Sequence, residues 1–121
     1  MKNFSSILAL FLSISLLTSP AFAKTKTVRF ENGSYSASYS GSIKGYNYDK
    51  YIFYAQEGQK LNISLNSQHS DVVLYGYDDF LPNENYTLPK TGKYEVRVVL
   101  PRAQSRKKIV DKYRINIQIT N

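Results

Sequence analysis

The feature that most constrains the fold is an alternation of apolar and polar residues with a period of two. It runs through almost every segment after residue 23. The clearest stretch is 113–120, where one tyrosine and three isoleucines alternate with Arg, Asn, Gln and Thr. Residues 61–66 (LNISLN) and 94–98 (YEVRV) repeat the pattern. Such alternation is typical of strands that have one buried face and one solvated face.

Turn residues separate these alternating runs at short spacing, and no helix is predicted after residue 23. The turn positions include Gly33, Gly41, Gly45, Gly58, Gly76, Pro82, Pro89 and Gly92. Several short strands divided in this way favour a sandwich or a barrel. We therefore predict an all-β protein, an antiparallel β-sandwich of about eight strands in two sheets.

The first 23 residues have the three parts of a secretory signal peptide. Lys2 supplies the positive charge, residues 7–18 form the apolar run, and Ala21-Phe22-Ala23 is a small-residue cleavage site. The alternative, a membrane anchor, is disfavoured because an apolar run of about a dozen residues is too short to span a bilayer as a helix. We expect cleavage after Ala23, a single domain over residues 24–121, and a periplasmic protein with no membrane association after cleavage.

The composition after residue 23 favours an acidic binding partner. The chain has 16 Lys and Arg, one of which is Lys2, and nine Asp and Glu, so the mature part carries a net charge of +6. A basic surface attracts nucleic acid, anionic polymers or acidic protein grooves, and export argues against nucleic acid. The chain also has 11 tyrosines and no cysteine. Tyrosine is a frequent contact residue of binding surfaces, and the lack of cysteine excludes thiol chemistry.

The sequence offers no set of residues for catalysis or for metal binding. His69 is followed by Ser70 and Asp71, but adjacent residues cannot turn their side chains onto one another in the geometry of a catalytic triad. Residues 78–79 are both aspartates, yet few acids lie nearby to complete the roughly six to eight oxygen ligands of a Ca²⁺ site. A polar turn is the favoured interpretation there, and we expect no enzyme activity, no cofactor and no metal.

Two segments stand out as candidate binding elements. Residues 44–49 (KGYNYD) form a turn rich in tyrosine, and residues 102–108 (RAQSRKK) hold four cations with no acid before Asp111. Aromatic side chains and arginine dominate interface hot spots, and arginine presents a rigid fork of donors to a carboxylate. We expect the basic segment to be a loop between neighbouring strands.

Each of these two segments also has a plainer explanation. For the tyrosines it is core packing and turn formation, which we favour for Tyr48, Tyr51 and Tyr54 over a binding role. This explanation is weaker for Tyr46, which lies between Gly45 and an asparagine. For the basic segment the alternative is a solvated, solubilising face, and composition alone leaves the two interpretations evenly balanced.

Five motifs closely resemble the family of periplasmic inhibitors of g-type (goose-type) lysozyme. They are 39–51 (YSGSIKGYNYDKY), 53–55 (FYA), 58–60 (GQK), 92–98 (GKYEVRV) and 112–119 (KYRINIQI). The resemblance covers nearly all of the chain after the signal peptide and is weakest between His69 and Pro89. It implies a monomeric antiparallel β-sandwich that binds g-type lysozyme, blocks its substrate groove and so protects peptidoglycan.

The same resemblance implies which residues bind the lysozyme. The family's contacts are a tyrosine in the Gly-Tyr-Asn/Asp-Tyr-Asp turn and two arginines four residues apart, which match Tyr46, Arg102 and Arg106 here. Neighbouring residues are expected as secondary contacts. These are Lys44, Asn47 and Lys107. We expect both segments to lie at one end of the sandwich and to enter the lysozyme cleft as one wedge.

Other interpretations remain open from the sequence. Part of the chain is also similar to the prepeptidase C-terminal domain group, a likeness that mainly reports the sandwich fold and does not settle function. The main alternative function is a periplasmic carbohydrate- or cell-wall-binding module, because basic loops and exposed tyrosines also suit an anionic polymer. An accessory domain of an exported peptidase is less favoured, since no catalytic domain is attached.

Overall fold

The structure is a computed structural model that describes residues 24–31 and 33–121. It has eight strands and one short helix. In chain order these are β1 (Thr25–Thr27), β2 (Ser36–Lys44), β3 (Asp49–Ala55), β4 (Lys60–Ser67), β5 (Asp71–Leu74), β6 (Tyr86–Thr87), β7 (Gly92–Val99), α1 (Arg102–Arg106) and β8 (Val110–Thr120). The predicted signal peptide lies outside the described residues. Within those residues no helix has the length and hydropathy needed to cross a membrane.

The strands form two four-stranded sheets, ordered β1-β3-β7-β5 and β2-β8-β4-β6. The predicted β-sandwich of about eight strands is therefore confirmed, with one correction: β1 pairs with β3 in parallel rather than antiparallel. Strands that follow one another in the described chain always lie in different sheets. The expectation that residues 102–108 join neighbouring strands is thus wrong, because β7 and β8 belong to opposite sheets. Alternation predicts which face of a strand is buried, but it carries no information about the strand's partner.

The inward residues of the alternating runs build one core between the sheets. All four apolar residues of the run 113–119 are buried, as are Tyr51, Phe53 and Val96. Tyrosine rings contribute to this core: the Tyr51 and Tyr113 rings meet edge to face, with centroids 6.4 Å apart. This is one of the favoured geometries for aromatic pairs. The core role predicted for Tyr51 is confirmed, whereas Tyr54 is 69% exposed because alternation along β3 turns it outward.

A single helical turn, α1, replaces the loop expected at the start of the basic segment. The Ser105 N–H donates to the Pro101 carbonyl at 2.9 Å, and the buried Ser105 hydroxyl donates to the Leu100 carbonyl at 3.0 Å. These two bonds fix the turn against the end of β7. Five residues are too few for a helical period to show in the sequence, which is why no helix was predicted there.

Candidate functional site

The two candidate segments lie at the same end of the sandwich. Lys44, the last residue of β2, pairs with Val110, the first residue of β8. Asp49, the first residue of β3, pairs with Val98 near the end of β7. The turn over residues 44–49, here called the Tyr46 turn, therefore adjoins residues 100–109, here called the arginine connection. The predicted common location of the two segments is confirmed.

Backbone contacts join the two segments directly. The Gly45 N–H donates to the Ile109 carbonyl at 3.4 Å, and the Asn47 N–H donates to the Lys44 carbonyl at 3.0 Å. Gly45 has a φ of +60°, the sign required at the first central position of a type II′ turn. Gly45 is buried, whereas Tyr46 beside it is 65% exposed. The turn thus holds the Tyr46 ring out into solvent from a fixed base.

The two arginines lie on one side of α1. Arg102 and Arg106 are four residues apart, a spacing that puts Cβ atoms about 5–6 Å apart on the same helix face. Both side chains are exposed, and among the described residues neither forms a hydrogen bond or an ion pair. Lys107 and Lys108 follow and are also exposed. The arginine connection therefore presents a cluster of unpaired positive charge beside Tyr46.

An arginine between two tyrosine rings flanks the Tyr46 turn on the outer face of the first sheet. The Arg97 guanidinium lies 4.8 Å from the centre of the Tyr48 ring and 3.6 Å from that of Tyr75. Its Nε donates to Glu95 Oε2 at 2.6 Å. Burial opposes its charge, but the bond to Glu95 and the nearby negative charge raise the Arg97 pKa above its usual value. Sequence reasoning missed this stack, because its members lie on three elements far apart in the chain.

A buried polar network fixes the inner end of the same turn. The Tyr113 hydroxyl donates to Asp49 Oδ2 at 2.5 Å, and the Tyr51 and Tyr113 hydroxyls lie 2.6 Å apart. Burial, and then the hydrogen bonds to Asp49 and Tyr51, raise the pKa of Tyr113 far above its usual value. A Cβ atom on Gly41 would lie 2.6 Å from the Tyr113 Cζ, so only glycine fits beside the ring. Alternation indicated that Tyr113 is buried, but nothing in the sequence marked Asp49 as a buried acid.

Three of the residues considered for a catalytic triad or a cation site take part in structural hydrogen bonds. The backbone N–H of the exposed His69 donates to Asp111 Oδ2 at 3.4 Å, and the Ser70 hydroxyl donates to the same oxygen. Asp79 Oδ1 accepts a hydrogen bond from the Tyr86 hydroxyl at 2.8 Å. In the part of the chain that the structure describes, no three His, Asp or Glu side chains are grouped as a metal site would need.

Comparison with known proteins gives one consistent group of relatives. A curated protein of Escherichia coli K12, described as an inhibitor of g-type lysozyme, is 42% identical over an alignment that is 128 positions long with its gaps and covers 94% of this chain and 96% of that protein. No family model matches the chain.

Solved structures of g-type lysozyme inhibitors are also similar to this chain. A periplasmic lysozyme inhibitor of g-type lysozyme from Salmonella Typhimurium is 41% identical, with a TM-score of 0.74 over 80% of this chain and 98% of its own. A mutant of the Escherichia coli inhibitor is 40% identical, with a TM-score of 0.75 over 82% and 100% of the two chains. The corresponding Aeromonas hydrophila inhibitor, at 23% identity and a TM-score of 0.74, shows the shared fold alone.

Proposed function

The chain belongs to the family of g-type lysozyme inhibitors, and we propose that it inhibits g-type lysozyme by inserting Tyr46, Arg102 and Arg106 into the substrate groove. The function of this family is inhibition and not catalysis. The observation that carries the proposal is the backbone contact between the Tyr46 turn and the arginine connection. Because of this contact, the exposed Tyr46 ring lies on one surface with Arg102 and Arg106, which have no partner among the described residues.

The chemistry of this surface suits a lysozyme groove. Such a groove binds an aminosugar chain and contains a catalytic glutamate. An arginine that enters it pairs with a carboxylate through its forked donors, and the flat Tyr46 ring stacks where a sugar ring would sit. Each hydrogen bond to a charged group contributes about 1.5–3 kcal/mol where water is excluded. Two arginines on one helix face, four residues apart, offer two such contacts without any rearrangement of the backbone.

Neighbouring residues extend this surface. Lys44 and Lys107 are exposed, and Asn47 is half-buried within the Tyr46 turn. As secondary contacts, the two lysines act mainly on the association rate and on its dependence on salt, because charges at the edge of an interface remain solvated. The segment between His69 and Pro89 is not part of the proposed surface.

The sequence and the relatives support a cellular setting for the proposed inhibitor. We place the mature chain in the periplasm as a monomer of residues 24–121, released by cleavage after Ala23. There it protects peptidoglycan from lysozyme that crosses the outer membrane. The relatives of known structure are described as periplasmic, which supports this location.

A carbohydrate- or cell-wall-binding module is the second candidate function. The observation that favours it is the pair of tyrosines on the outer face of the first sheet, Tyr54 at 69% and Tyr75 at 56% exposure. Exposed aromatic rings beside cations suit an anionic glycan. In this alternative the target is the wall polymer itself and not an enzyme.

A lysis assay separates the two candidates. The purified domain is added to cell walls with g-type lysozyme and, in parallel, with chicken-type lysozyme, and turbidity is followed. Loss of lysis with the g-type enzyme supports the inhibitor, and the chicken-type enzyme tests its specificity. Undiminished lysis at micromolar domain, together with sedimentation of the domain on peptidoglycan in the absence of any lysozyme, supports the wall-binding module instead.

A further inference from the structure

Asp49 is a buried carboxylate with few partners among the residues that the structure describes. Its residue is 4% exposed, and its side chain accepts one hydrogen bond from the Tyr113 hydroxyl and one long bond, at 3.4 Å, from the backbone N–H of Lys24. A carboxylate withdrawn from water is costly unless a cation and several donors compensate for the lost hydration. Among the described residues Asp49 forms an ion pair with the Lys24 Nζ at 3.8 Å, but the Lys24 side chain is 45% exposed and the pair is therefore partly screened.

The Lys24 backbone is held firmly next to this carboxylate. Its carbonyl accepts a hydrogen bond from the Lys50 N–H at 2.7 Å, and the following residues, β1, pair in parallel with β3. The Lys24 nitrogen therefore reaches Asp49 Oδ1 through backbone pairing and not through a flexible side chain. Lys24 is also the residue that follows the expected cleavage site at Ala23.

Removal of the signal peptide changes the chemistry of that nitrogen. In the precursor it is a neutral amide with a single N–H, whereas in the processed chain it is an α-ammonium group with three donors and a full positive charge. A charge-assisted N–H···O bond is shorter, about 2.7–2.9 Å, and roughly twice as strong as a neutral one. Shortening the 3.4 Å separation to this length needs a movement of about 0.5–0.7 Å.

We propose that Asp49 is a positioning residue for the Tyr46 turn and that its counter-ion is the α-ammonium group of Lys24, created by signal-peptide cleavage. Asp49 directly follows Tyr48, at the point where the turn becomes β3. One of its oxygens is bound by Tyr113 of the opposite sheet and the other faces the Lys24 nitrogen. The ion pair thus ties both sheets and the chain terminus together at the base of the turn. This inference rests on the inhibitory function proposed above.

The test compares three forms of the domain that differ only at the first residue. One begins at Lys24, one carries a single glycine before Lys24, and one is acetylated on the Lys24 nitrogen. We expect the glycine and acetyl forms to melt at least about 4 °C lower, since about 1 kcal/mol shifts the Tm of a domain this size by that amount or more. We expect them to inhibit g-type lysozyme about threefold less well or worse, because affinity falls with the fraction of correctly shaped turn.

A substitution and a stability control separate positioning from general destabilisation. Asp49→Asn should abolish the difference between the processed and glycine-extended forms, since the carboxylate is gone. Lys24→Ala keeps the α-ammonium group and should retain most of that difference. Ile119→Val trims the core at the opposite end of β8 and should lower the Tm without a threefold change in inhibition measured well below it.

The outcomes are distinct from failure of the proposed function. If the processed wild-type domain does not inhibit g-type lysozyme, the function itself is wrong. If it inhibits and the three forms share one Tm and one inhibition constant, the α-ammonium group is not the counter-ion of Asp49. If the Tm values differ but inhibition does not, Asp49 does not position the turn. Should Asp49→Asn fail to fold, the comparison of the three wild-type forms still decides.

Discussion

The backbone N–H of Gly45 donates to the carbonyl oxygen of Ile109 at 3.4 Å, and this bond joins two segments that are distant in the sequence. Both segments connect a strand of one sheet to a strand of the other: the first joins β2 to β3, and the second joins β7 to β8. Because β2 and β8 are neighbours in one sheet and β3 and β7 are neighbours in the other, the two segments meet at the same end of the sandwich. Tyr46 and the two arginines therefore belong to one surface whose geometry depends on a glycine.

The backbone conformation of Gly45 is the first point to test. Gly45→Ala places a side chain at φ +60°, which costs about 1–2 kcal/mol in that region, although its Cβ would only touch the Ser105 carbonyl at 3.8 Å. We expect a smaller free energy of unfolding, measured with denaturant, and weaker inhibition of g-type lysozyme. Gly58→Ala is the matched control, because it has a φ of +90°, open space around it and a place in the turn between β3 and β4. Equal loss of inhibition in both variants would contradict a specific role for the Tyr46 turn.

The two arginines should contribute to binding and not to stability. Arg102→Ala and Arg106→Ala each remove an exposed, unpaired charge, so the Tm should hardly change. Inhibition of g-type lysozyme should weaken at least about tenfold, the loss expected for an interface anchor. Lysine at either position should restore little of the inhibition that the alanine variant loses, since lysine lacks the forked donors of arginine.

The exposed Lys112 is the matched control for charge, since it lies along β8 beyond the arginine connection. Lys112→Ala removes the same charge and should leave the inhibition constant unchanged apart from a small salt-dependent effect on the association rate. If both arginine variants inhibit as well as the wild type, the assignment of these two residues is wrong.

Tyr46 should behave as an aromatic anchor. Tyr46→Ala is expected to cost about 2 kcal/mol or more of binding free energy, which is more than tenfold in the inhibition constant, with little change in Tm. Tyr46→Phe should retain most of the stacking. Tyr54→Ala is the control, as Tyr54 is equally exposed but lies near the far end of β3. A loss of inhibition of the same size in the Tyr54 variant would contradict a specific role for the Tyr46 turn in contacting the lysozyme.

The raised pKa of Tyr113 predicts how stability depends on pH. Because Tyr113 is harder to ionise in the folded protein than in the unfolded chain, its contribution is fully present below about pH 10. The free energy of unfolding should fall as the pH rises above that value, since the unfolded chain releases the proton first. Tyr113→Phe should be less stable at neutral pH, because Asp49 loses a hydrogen bond, and should show a shallower fall in alkali. Denaturant unfolding between pH 7 and 11 measures both effects, and an unchanged alkaline slope would contradict the assignment.

The sequence predicts correctly the structural features that depend on the residues of a single strand. The period-two pattern predicted the buried face of β8, and the resemblance pointed to Tyr46, Arg102 and Arg106, which the structure brings to one end of the fold. The parallel pairing of β1 could not be predicted, because its three residues are all exposed and show no alternation of buried and exposed positions. The burial of Asp49 was also hidden, since a carboxylate at a turn is normally solvated and its partner Tyr113 comes from the other sheet.

The most direct test of the central claim is competition for the lysozyme groove. Binding of the processed domain to g-type lysozyme is titrated by calorimetry with and without a saturating N-acetylglucosamine oligomer, which fills the groove. If Tyr46, Arg102 and Arg106 occupy that groove, the apparent dissociation constant should rise linearly with the ratio of the oligomer's concentration to its own dissociation constant, and the Arg102→Ala, Arg106→Ala double variant should bind weakly in either case. Tight binding that the oligomer leaves unchanged would contradict the claim.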